Sequence, residues 1–189
     1  MTLIEVIGKR LQKSACLDEI VFAIPDSRQD DVLEQEIRHL GFSVYRGPQE
    51  DVQARILMAG RATGASNLVR ITADCPLVDW KLVDIAVKIL IETGADYVSN
   101  TVSPTFPDGL DVEAMTLRSL ERAEEEFNTK EGKEHVTIEI AKSEEFDKRE
   151  IVHDEDLSHL RWTVDYQEDL KQLNKFLPDG FAEFSWQEI

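Results

Sequence analysis

The sequence of 189 residues contains 38 acidic and 21 basic side chains, which gives a formal net charge of −17 at pH 7. This length is sufficient to bury a hydrophobic core, and we expect one domain over residues 1–189. The negative charge argues against a nucleic-acid-binding protein and against a polybasic membrane-surface protein, because both classes need an excess of Lys and Arg.

Signals for secretion or membrane insertion are missing from the sequence. The amino-terminal stretch lacks the apolar core of a signal peptide, and no run approaches the roughly 18 apolar residues of a membrane span. Cys16 and Cys75 are the two cysteines, and their wide separation gives neither a metal-binding motif nor a disulfide framework. We therefore predict a cytoplasmic protein.

In the first half of the chain, short apolar runs alternate with amphipathic segments. The runs predict strands over residues 20–24, 42–45, 68–72 and 97–99. The apolar spacing predicts helices over residues 3–13, after an N-cap at Ser27, around Ile56 and after an N-cap at Asp79. Gly41 is expected to end the second of these helices. The short connections favour crossover units and a largely parallel sheet, which is an α/β fold.

In the second half the alternation is less regular, and Pro104 and Pro107 mark a loop. Strands are predicted over residues 110–114, 149–152 and 160–164. Helices are predicted over residues 116–127, around Ile140 and over residues 168–177. Because ligands bind beyond the carboxyl ends of the strands in open parallel sheets, polar residues that directly follow a strand are the first candidates for a site.

The first such cluster is a glycine turn that leads from a predicted strand into a helix. It contains Arg46, Gly47, Asp51 and Arg55. Backbone N–H groups at a turn of this kind can bind an anion or the edge of a base. Strand-to-helix loops with charged surfaces have the same composition, so the pattern leaves both interpretations open.

Two further predicted strands are each followed by an aspartate, Asp74 and Asp165. A carboxylate at this position can hold Mg²⁺ against substrate phosphates, since Mg²⁺ takes oxygen ligands and usually one or two carboxylates. Each aspartate could instead cap the following helix, although Pro76 makes capping a poorer account of Asp74. A metal site requires both carboxylates, and therefore requires their two strands to lie side by side.

The segment between the fourth and fifth predicted strands is unusually polar, and it contains Asn100, Asp108 and Gly109. Asp111 and Glu113 follow on one face of the next strand, because side chains alternate along a strand. A face with two carboxylates is either exposed to solvent or part of a polar pocket.

Among the four histidines, His135 lies beside Glu134 on a predicted helix, for which a surface position is the default. The sequence shows no Ser/His/Asp arrangement and no Cys/His spacing of the kind that binds a metal. Any chemistry is therefore expected to depend on carboxylates and basic residues.

Four motifs in order make the chain recognisable. They are R-I-T-A-D-C-P-L-V-D, then S-N-T followed by P-T-F-P-D-G-L-D-V-E, then E-H-V-T, and finally L-R-W-T-V-D-Y-Q-E-D-L. Together they resemble the cytidylyltransferases of the spore coat polysaccharide biosynthesis type, which are similar to the acylneuraminate and KDO cytidylyltransferases. The resemblance extends from about residue 3 to residue 177.

The resemblance implies a three-layer α/β/α fold of the nucleotide-diphospho-sugar transferase type, Rossmann-like and with a mostly parallel sheet. It implies transfer of CMP from CTP to the hydroxyl of an acidic or modified sugar, with Mg²⁺ as cofactor and pyrophosphate as product. Asp74 and Asp165 match the metal-binding, catalytic aspartates. The residues assigned to CTP are Arg46, Gly47, Asp51, Arg55 and Arg70. Those assigned to the sugar are Asn100, Asp108, Gly109, Asp111, Glu113 and His135.

The sequence departs from the family pattern at its amino end. Family members open with a strand and a loop resembling R-x-x-S-x-R-L-P-x-K, and neither occurs here. We therefore expect roughly 30 residues of the family domain to be absent, the usual first strand among them, and turnover to be weak or nil.

Two alternatives remain. The chain could be a non-catalytic binding or assembly module with a covered sheet edge, and we expect a homodimer. It could also be a nucleotide-sugar glycosyltransferase of related fold, for which the D-V-E at residues 111–113 is a loose match to a metal-binding motif.

Overall fold

The structure, a computed structural model, describes residues 2–176 and 184–188. The eight α-helices of these residues are α1 (Leu3–Leu11), α2 (Asp31–His39), α3 (Val52–Thr63), α4 (Trp80–Thr93), α5 (Leu117–Glu126), α6 (Lys130–His135), α7 (Ile138–Lys142) and α8 (Gln167–Phe176). The six strands are β1 (Val21–Pro25), β2 (Ser43–Gly47), β3 (Asn67–Arg70), β4 (Tyr97–Ser99), β5 (Glu113–Thr116) and β6 (Lys148–Glu150).

The six strands form two sheets. β1 and β2 pair in parallel, and the other four lie in the order β3-β5-β4-β6. In the second sheet β5 is antiparallel to both β3 and β4, whereas β4 and β6 are parallel. β3, β4 and β6 therefore share one direction and β5 alone is reversed. The predicted α/β class with a largely parallel sheet is confirmed.

The second sheet has a hydrophobic core on each face, as alternation along its strands requires. Val98 and Ala114 face a core built largely from α1 and α4, with Ile7, Leu82 and Leu90 among its buried residues. The neighbouring positions Tyr97 and Met115 face a second core, which includes Leu57 of α3, Leu120 of α5 and Ile140 of α7. These two cores make the three layers that the family resemblance implied.

Asp79 connects three parts of the fold. As predicted, it is the N-cap of α4, where its Oδ1 accepts a hydrogen bond from the backbone N of Lys81 (2.8 Å). Its Oδ2 accepts bonds from Ser185 Oγ (2.8 Å) and the backbone N of Trp186 (2.7 Å). Because the carboxylate is fully buried, these bonds replace the water that it has lost.

Arg10 fixes α1 to the same region. The guanidinium is fully buried and donates to the carbonyl oxygens of Val78 (2.6 Å) and Leu77 (3.1 Å). Burial lowers the pKa of Arg10 to about 10, opposed by the charge of Asp79, so the side chain stays protonated at neutral pH. The start of α4 is thus held by α1 on one side and by residues 184–188 on the other.

Three predicted elements of the second half differ in the structure. The strand predicted over 110–114 starts later, as β5, and the strand predicted over 160–164 is reduced to one bridge between Asp108 and Arg161. The helix predicted around Ile140 is split into α6 and α7 by Val136, which has a positive φ of 61°. The helix predicted over 168–177 is α8, and residue 177 lies outside the described part of the chain.

None of the helices in the described ranges is both long and apolar enough to cross a membrane.

Candidate functional site

Three polar segments meet where β3 and β4 end. The backbone N of Val164 donates to the carbonyl oxygen of Asp74 (2.8 Å). On the other side of the same segment, Asp108 N donates to Leu160 O (2.9 Å) and Trp162 N donates to Asp108 O (2.7 Å). Residues 160–165 therefore lie between the loop that carries Asp74 and the loop that carries Asp108. The segment that carries Asp165 is thus bonded to the loop that carries Asp74, and the metal site expected from these two carboxylates stays a prediction.

Gly109 makes this contact possible. Its φ is +106°, a conformation that side-chain-bearing residues rarely adopt, and a Cβ there would lie 2.8 Å from the carbonyl carbon of Trp162. Only a glycine lets residues 160–165 approach the Asp108 loop this closely. Gly109, predicted from its D-G turn signal, is thus required for the assembly of the site.

The carboxylate of Asp165 is half exposed and is paired with Arg161, which also donates to Asp169 Oδ1 (3.0 Å). Asp169 accepts the backbone N–H groups of Asp165 (3.0 Å) and Tyr166 (2.9 Å), and these bonds together with Arg161 lower the pKa of Asp169 to about 2. Asp169, and not Asp165, therefore satisfies the amide groups at the start of α8. Asp165 keeps Arg161 as its charged partner, and a metal ion can replace this arginine.

Asp111 lies among other carboxylates at this edge of the sheet. Burial, followed by the charges of Asp108 and Glu113 and less strongly Asp74, raises the pKa of Asp111 to about 6. A carboxyl with this pKa exchanges its proton close to neutral pH, as a general base or acid requires.

We expect Asp111→Asn to remove a pH dependence of stability. Because the folded-state pKa of Asp111 is raised above the usual value of 3.8, its contribution to stability is fully present below about pH 4 and is lost as the pH rises through 6. The variant should therefore melt at a higher temperature than the wild type at pH 7.5, and this difference should shrink towards pH 4.5. Thermal unfolding across this pH range measures it, and equal melting temperatures at pH 7.5 would contradict the assignment.

Glu113 faces the protein interior. Its buried carboxylate accepts hydrogen bonds from Arg70, from the Tyr97 hydroxyl (2.7 Å) and from Thr137 Oγ1. Burial and then the charge of Glu113 raise the pKa of Tyr97 above its usual value, so the phenol stays protonated and donates this bond. Of the two alternatives for this face, solvent and a polar pocket, the burial of Glu113 fits the pocket, in which Glu113 and Arg70 are bonded to each other.

Asn100 is also engaged with its own chain. Its amide donates to Leu110 O (2.9 Å) and its Oδ1 accepts from Val112 N (2.8 Å). Because Asn100 is buried, these bonds satisfy the amide and fix the backbone on both sides of Asp111. Asn100, itself among the residues assigned to the sugar, thus positions the backbone of Asp111, which was assigned to the sugar as well.

The predicted nucleotide cluster forms a separate turn at the end of β2. Arg46 pairs with Asp31 and Glu34 (2.7 Å each), which raises the pKa of Arg46. Arg55 donates to Pro48 O (2.6 Å), and burial lowers its pKa. Asp51 is the N-cap of α3, where it accepts from Ala54 N (2.9 Å). Gly47 packs on Arg55, whose Cγ would lie 2.9 Å from an added Cβ.

A tight turn after His135 links this cluster to the Glu113 network. Thr137 N donates to His135 O (2.6 Å) across Val136, whose φ of 61° and ψ of −62° are those of a strained γ-turn. Gln53 Nε2 donates a hydrogen bond to the carbonyl oxygen of Val136 (3.0 Å). The His135 side chain is exposed, in line with the surface position expected by default. Gln53 was not identified from the sequence because a polar residue within a helical segment carries no local signal, and Thr137 entered only as the last residue of the E-H-V-T motif, without a role.

The carboxylates that the site offers suit a metal ion that needs few protein ligands. Among residues 2–176 and 184–188, no group of three or more His, Cys, Asp or Glu side chains is placed to hold a metal ion. Asp74 and Asp165 offer two carboxylates, which is the usual protein share for Mg²⁺ bound to substrate phosphates. Burial raises the pKa of the Cys75 thiol to about 12, which keeps this neighbour of Asp74 protonated and unsuited to metal binding.

In a three-layer α/β fold with a largely parallel sheet, ligands bind beyond the carboxyl ends of the strands, which is the edge where these polar segments meet. The profile of the family described as cytidylyltransferase matches residues 1–178. The chain therefore belongs to the cytidylyltransferase family.

Two relatives support the family. An uncharacterised protein of Methanocaldococcus jannaschii is 34% identical over 135 residues, which is 71% of this chain and 54% of that protein. Spore coat polysaccharide biosynthesis protein SpsF of Bacillus subtilis is 31% identical over 145 residues, 73% of this chain and 58% of that protein. The chain thus matches little more than half the length of these curated relatives.

Solved structures share the fold. A cytidylyltransferase from Leptospira borgpetersenii superposes with a TM-score of 0.92 at 29% identity, covering 100% of this chain and 81% of that one. CMP:2-keto-3-deoxy-manno-octonic acid synthetase complexed with CTP superposes with a TM-score of 0.64 at 10% identity, covering 92% of this chain and 86% of that one. At this identity the second likeness concerns the fold alone.

Proposed function

We propose that the chain is the catalytic part of a sugar cytidylyltransferase, which transfers CMP from CTP to an acidic or modified sugar for surface polysaccharide biosynthesis in the cytoplasm. The observation that carries the proposal is the backbone hydrogen bond between Val164 and Asp74, which joins the segment that carries Asp165 to the loop that carries Asp74. Family membership and the similarity to SpsF support the reaction class and the pathway.

In the proposed reaction the hydroxyl oxygen of the sugar forms a bond to the α-phosphorus of CTP. The bond from this phosphorus to the oxygen that bridges to the β-phosphate breaks, and pyrophosphate leaves with that electron pair. The hydroxyl proton passes to the carboxylate of Asp111, whose pKa of about 6 suits a general base. Gly109 and Asn100 hold the backbone on either side of this carboxylate.

Asp74 and Asp165 would hold the divalent cation, proposed to be Mg²⁺. When bound, the cation neutralises charge on the triphosphate and on the leaving pyrophosphate. A structure of Rv0371c from Mycobacterium tuberculosis in complex with manganese, similar to this chain in fold at 12% identity, supports the use of a divalent metal. Arg161 pairs with Asp165 in the structure and would exchange this carboxylate for a phosphate oxygen when the metal binds.

The remaining assignments are proposals of the same kind. The turn of Arg46, Gly47, Asp51 and Arg55 would contact the cytosine base, and Asp108 and His135 would contact the sugar. Arg70 and Glu113 would act indirectly, because each is the other's partner. The loose D-V-E match to a glycosyltransferase metal motif loses its basis, since the carboxylate of Glu113 is already bonded by three side chains.

The test combines calorimetric titration of CTP with an assay of pyrophosphate release, both with and without Mg²⁺. We expect Asp74→Asn and Asp165→Asn each to lower Mg²⁺-dependent release at least about a hundredfold, because each removes a charged metal ligand. Asp154→Asn, which changes an exposed aspartate outside the site, is the matched control and should behave as the wild type.

The sequence predicts weak or no turnover, because the family loop that cradles the triphosphate does not occur in it and a net charge of −17 makes anionic CTP harder to hold without that loop. A wild-type chain that does not bind CTP in the presence of Mg²⁺ would contradict the proposal and favour a non-catalytic module. Light scattering tests the proposed homodimer separately.

A further inference from the structure

The turn at Val136 is held in a strained backbone conformation. In the described part of the chain, two residues other than glycine have a positive φ, Asn128 at 42° and Val136 at 61°. Asparagine tolerates a positive φ, whereas a β-branched residue rarely adopts one because its Cβ crowds the backbone. Strain of this kind persists only where the surrounding contacts enforce it, and it is concentrated at functional sites.

Contacts from two separate elements enforce this turn. Gln53 of α3 is 2% exposed, and its Nε2 donates to the carbonyl oxygen of Val136 (3.0 Å). On the other side of the turn, Thr137 Oγ1 donates to the buried carboxylate of Glu113 in β5. The side chain of Val136 is itself fully buried in the core that also contains Leu57 of α3. The turn is therefore fixed to α3 and to β5 at once.

Packing alone does not account for a glutamine at position 53. Leu57 lies one turn later on the same face of α3, and it is apolar and fully buried. An apolar residue at position 53 would fill the space beside it without removing an amide group from water. The polar group of Gln53 is therefore explained by its bond to the carbonyl of Val136.

The same turn borders both halves of the candidate site. Gln53 comes two residues after Asp51, which is the N-cap of α3 and part of the turn proposed to contact the cytosine base. Lys133 of α6 pairs with Asp51 (3.7 Å), which places α6 alongside that turn. His135, the last residue of α6, is exposed, and its carbonyl oxygen accepts the N–H of Thr137 (2.6 Å). The backbone of His135 is thus set by the turn that Gln53 holds.

We propose that Gln53 is a positioning residue that acts through His135. Its hydrogen bond keeps Val136 in the γ-turn conformation, and so sets the direction from which the imidazole of His135 meets the sugar. The inference rests on the proposed function, which assigns His135 to the sugar. Because Gln53 is buried and does not contact the substrates itself, its loss should weaken the binding of the sugar but not that of CTP.

The first test compares Gln53→Met with the wild type by nuclear magnetic resonance, without any ligand. Methionine keeps the length and the burial of the side chain but cannot donate to the carbonyl of Val136. The measurements are the scalar coupling that reports φ of Val136, and the ring signals of His135, identified by their loss in His135→Gln. We expect both to change, and the amide order parameters of His135 and Thr137 to fall below the value of about 0.85 that is typical of a rigid backbone.

Gln53→Glu offers rescue by protonation. At pH 7.5 the introduced carboxylate has no proton to donate to the carbonyl oxygen of Val136, so the turn should change as in Gln53→Met. Burial raises the pKa of a carboxyl, so at pH 5 the introduced group should carry a proton and donate an O–H bond. The His135 signals should then return to those of the wild type at the same pH.

Leu120→Val is the matched control. It removes volume from the same core but leaves the bond between Gln53 and Val136 intact. The signals of His135 should therefore stay at their wild-type positions at both pH values.

The second test measures pyrophosphate release with CTP, Mg²⁺ and N-acetylneuraminic acid as the sugar probe. We expect Gln53→Met to raise the KM of the sugar about tenfold, and to leave the KM of CTP within about twofold of the wild type. His135→Ala should raise the KM of the sugar in the same way. The double variant should resemble His135→Ala alone, because a positioning residue has no further effect once the residue that it positions is gone.

Three results would overturn the proposal. The first is an unchanged φ of Val136 and unchanged His135 signals in Gln53→Met, and the second is an equal change in Leu120→Val, which would mean a general loss of packing. The third is an additive rise of the sugar KM in the double variant. A wild type that binds no CTP, or releases no pyrophosphate with this sugar, bears on the proposed function alone. The comparison without ligand then decides whether Gln53 positions His135.

Discussion

Glu113→Gln is expected to lower the free energy of unfolding by about 3 kcal/mol, because it leaves the Arg70 guanidinium without its charged partner. The side chain of Glu113 is 8% exposed and that of Arg70 19%, so water replaces little of the lost interaction. The glutamine keeps the volume and an oxygen for Tyr97 and Thr137, which already share Oε1, but its amide NH₂ then replaces the Oε2 that accepts from Arg70 and sets donor against donor. Urea denaturation, with the midpoint and the slope fitted separately, measures the loss.

Glu121→Gln is the matched control. It removes the same charge from the ion pair between Glu121 and Arg61. The side chain of Glu121 is 34% exposed and that of Arg61 is 51% exposed. Exposed pairs contribute less than about 1 kcal/mol, so this variant should stay close to the wild type. If both variants lost the same small amount of stability, Glu113 would have to be an ordinary surface carboxylate, and the buried network would be refuted.

The Glu113 network also shows what the sequence could not predict. Its partners Arg70, Tyr97 and Thr137 come from three separate elements, β3, β4 and the turn before α7. Arg70 and Glu113 are cross-strand partners only because β5 inserts between β3 and β4. This strand order is a tertiary property, and no local spacing along the chain reports it. The residue types alone indicated a polar face but not its internal pairing.

Elements with strong local signals were predicted well. α4 combines an N-cap at Asp79 with regular apolar spacing and a glycine at its end, and its predicted start agrees with the structure. β5 was misplaced because apolar Leu110 and Val112 alternate with Asp111, as in a strand. In the structure Asn100 bonds to the backbone of both apolar residues, so regular strand pairing begins only at Glu113.

Only some residues of the candidate site were predicted from the sequence. Asp74 and Asp165 were identified because each follows a predicted strand and such positions converge in parallel sheets. Arg161 and Asp169 were missed, although they form the ion pairs that surround Asp165. Asp169 stands three residues after Tyr166 and accepts its N–H, which is half of the pattern of a capping box. The sequence signal was incomplete because the first position holds a tyrosine.

Gly109→Ala is expected to separate the two candidate metal aspartates as well as to destabilise the fold. Its methyl group would lie 2.8 Å from the carbonyl carbon of Trp162 and 2.9 Å from the backbone N of Thr163, and backbone atoms cannot rotate away. Residues 160–165 must therefore move off the Asp108 loop, which lengthens the bond between Val164 and Asp74. We expect a loss of about 3 kcal/mol, part of it from the positive φ.

Gly64→Ala isolates the effect of backbone conformation. Gly64 also has a positive φ, of +69°, but a Cβ there meets no atom within 4 Å. This variant should lose only about 1 kcal/mol and should keep the full affinity for Mn²⁺, measured by electron paramagnetic resonance. For Gly109→Ala we expect Mn²⁺ affinity to fall to that of Asp74→Asn. Equal Mn²⁺ affinities of the two glycine variants would show that close packing at Gly109 does not position Asp165 beside Asp74.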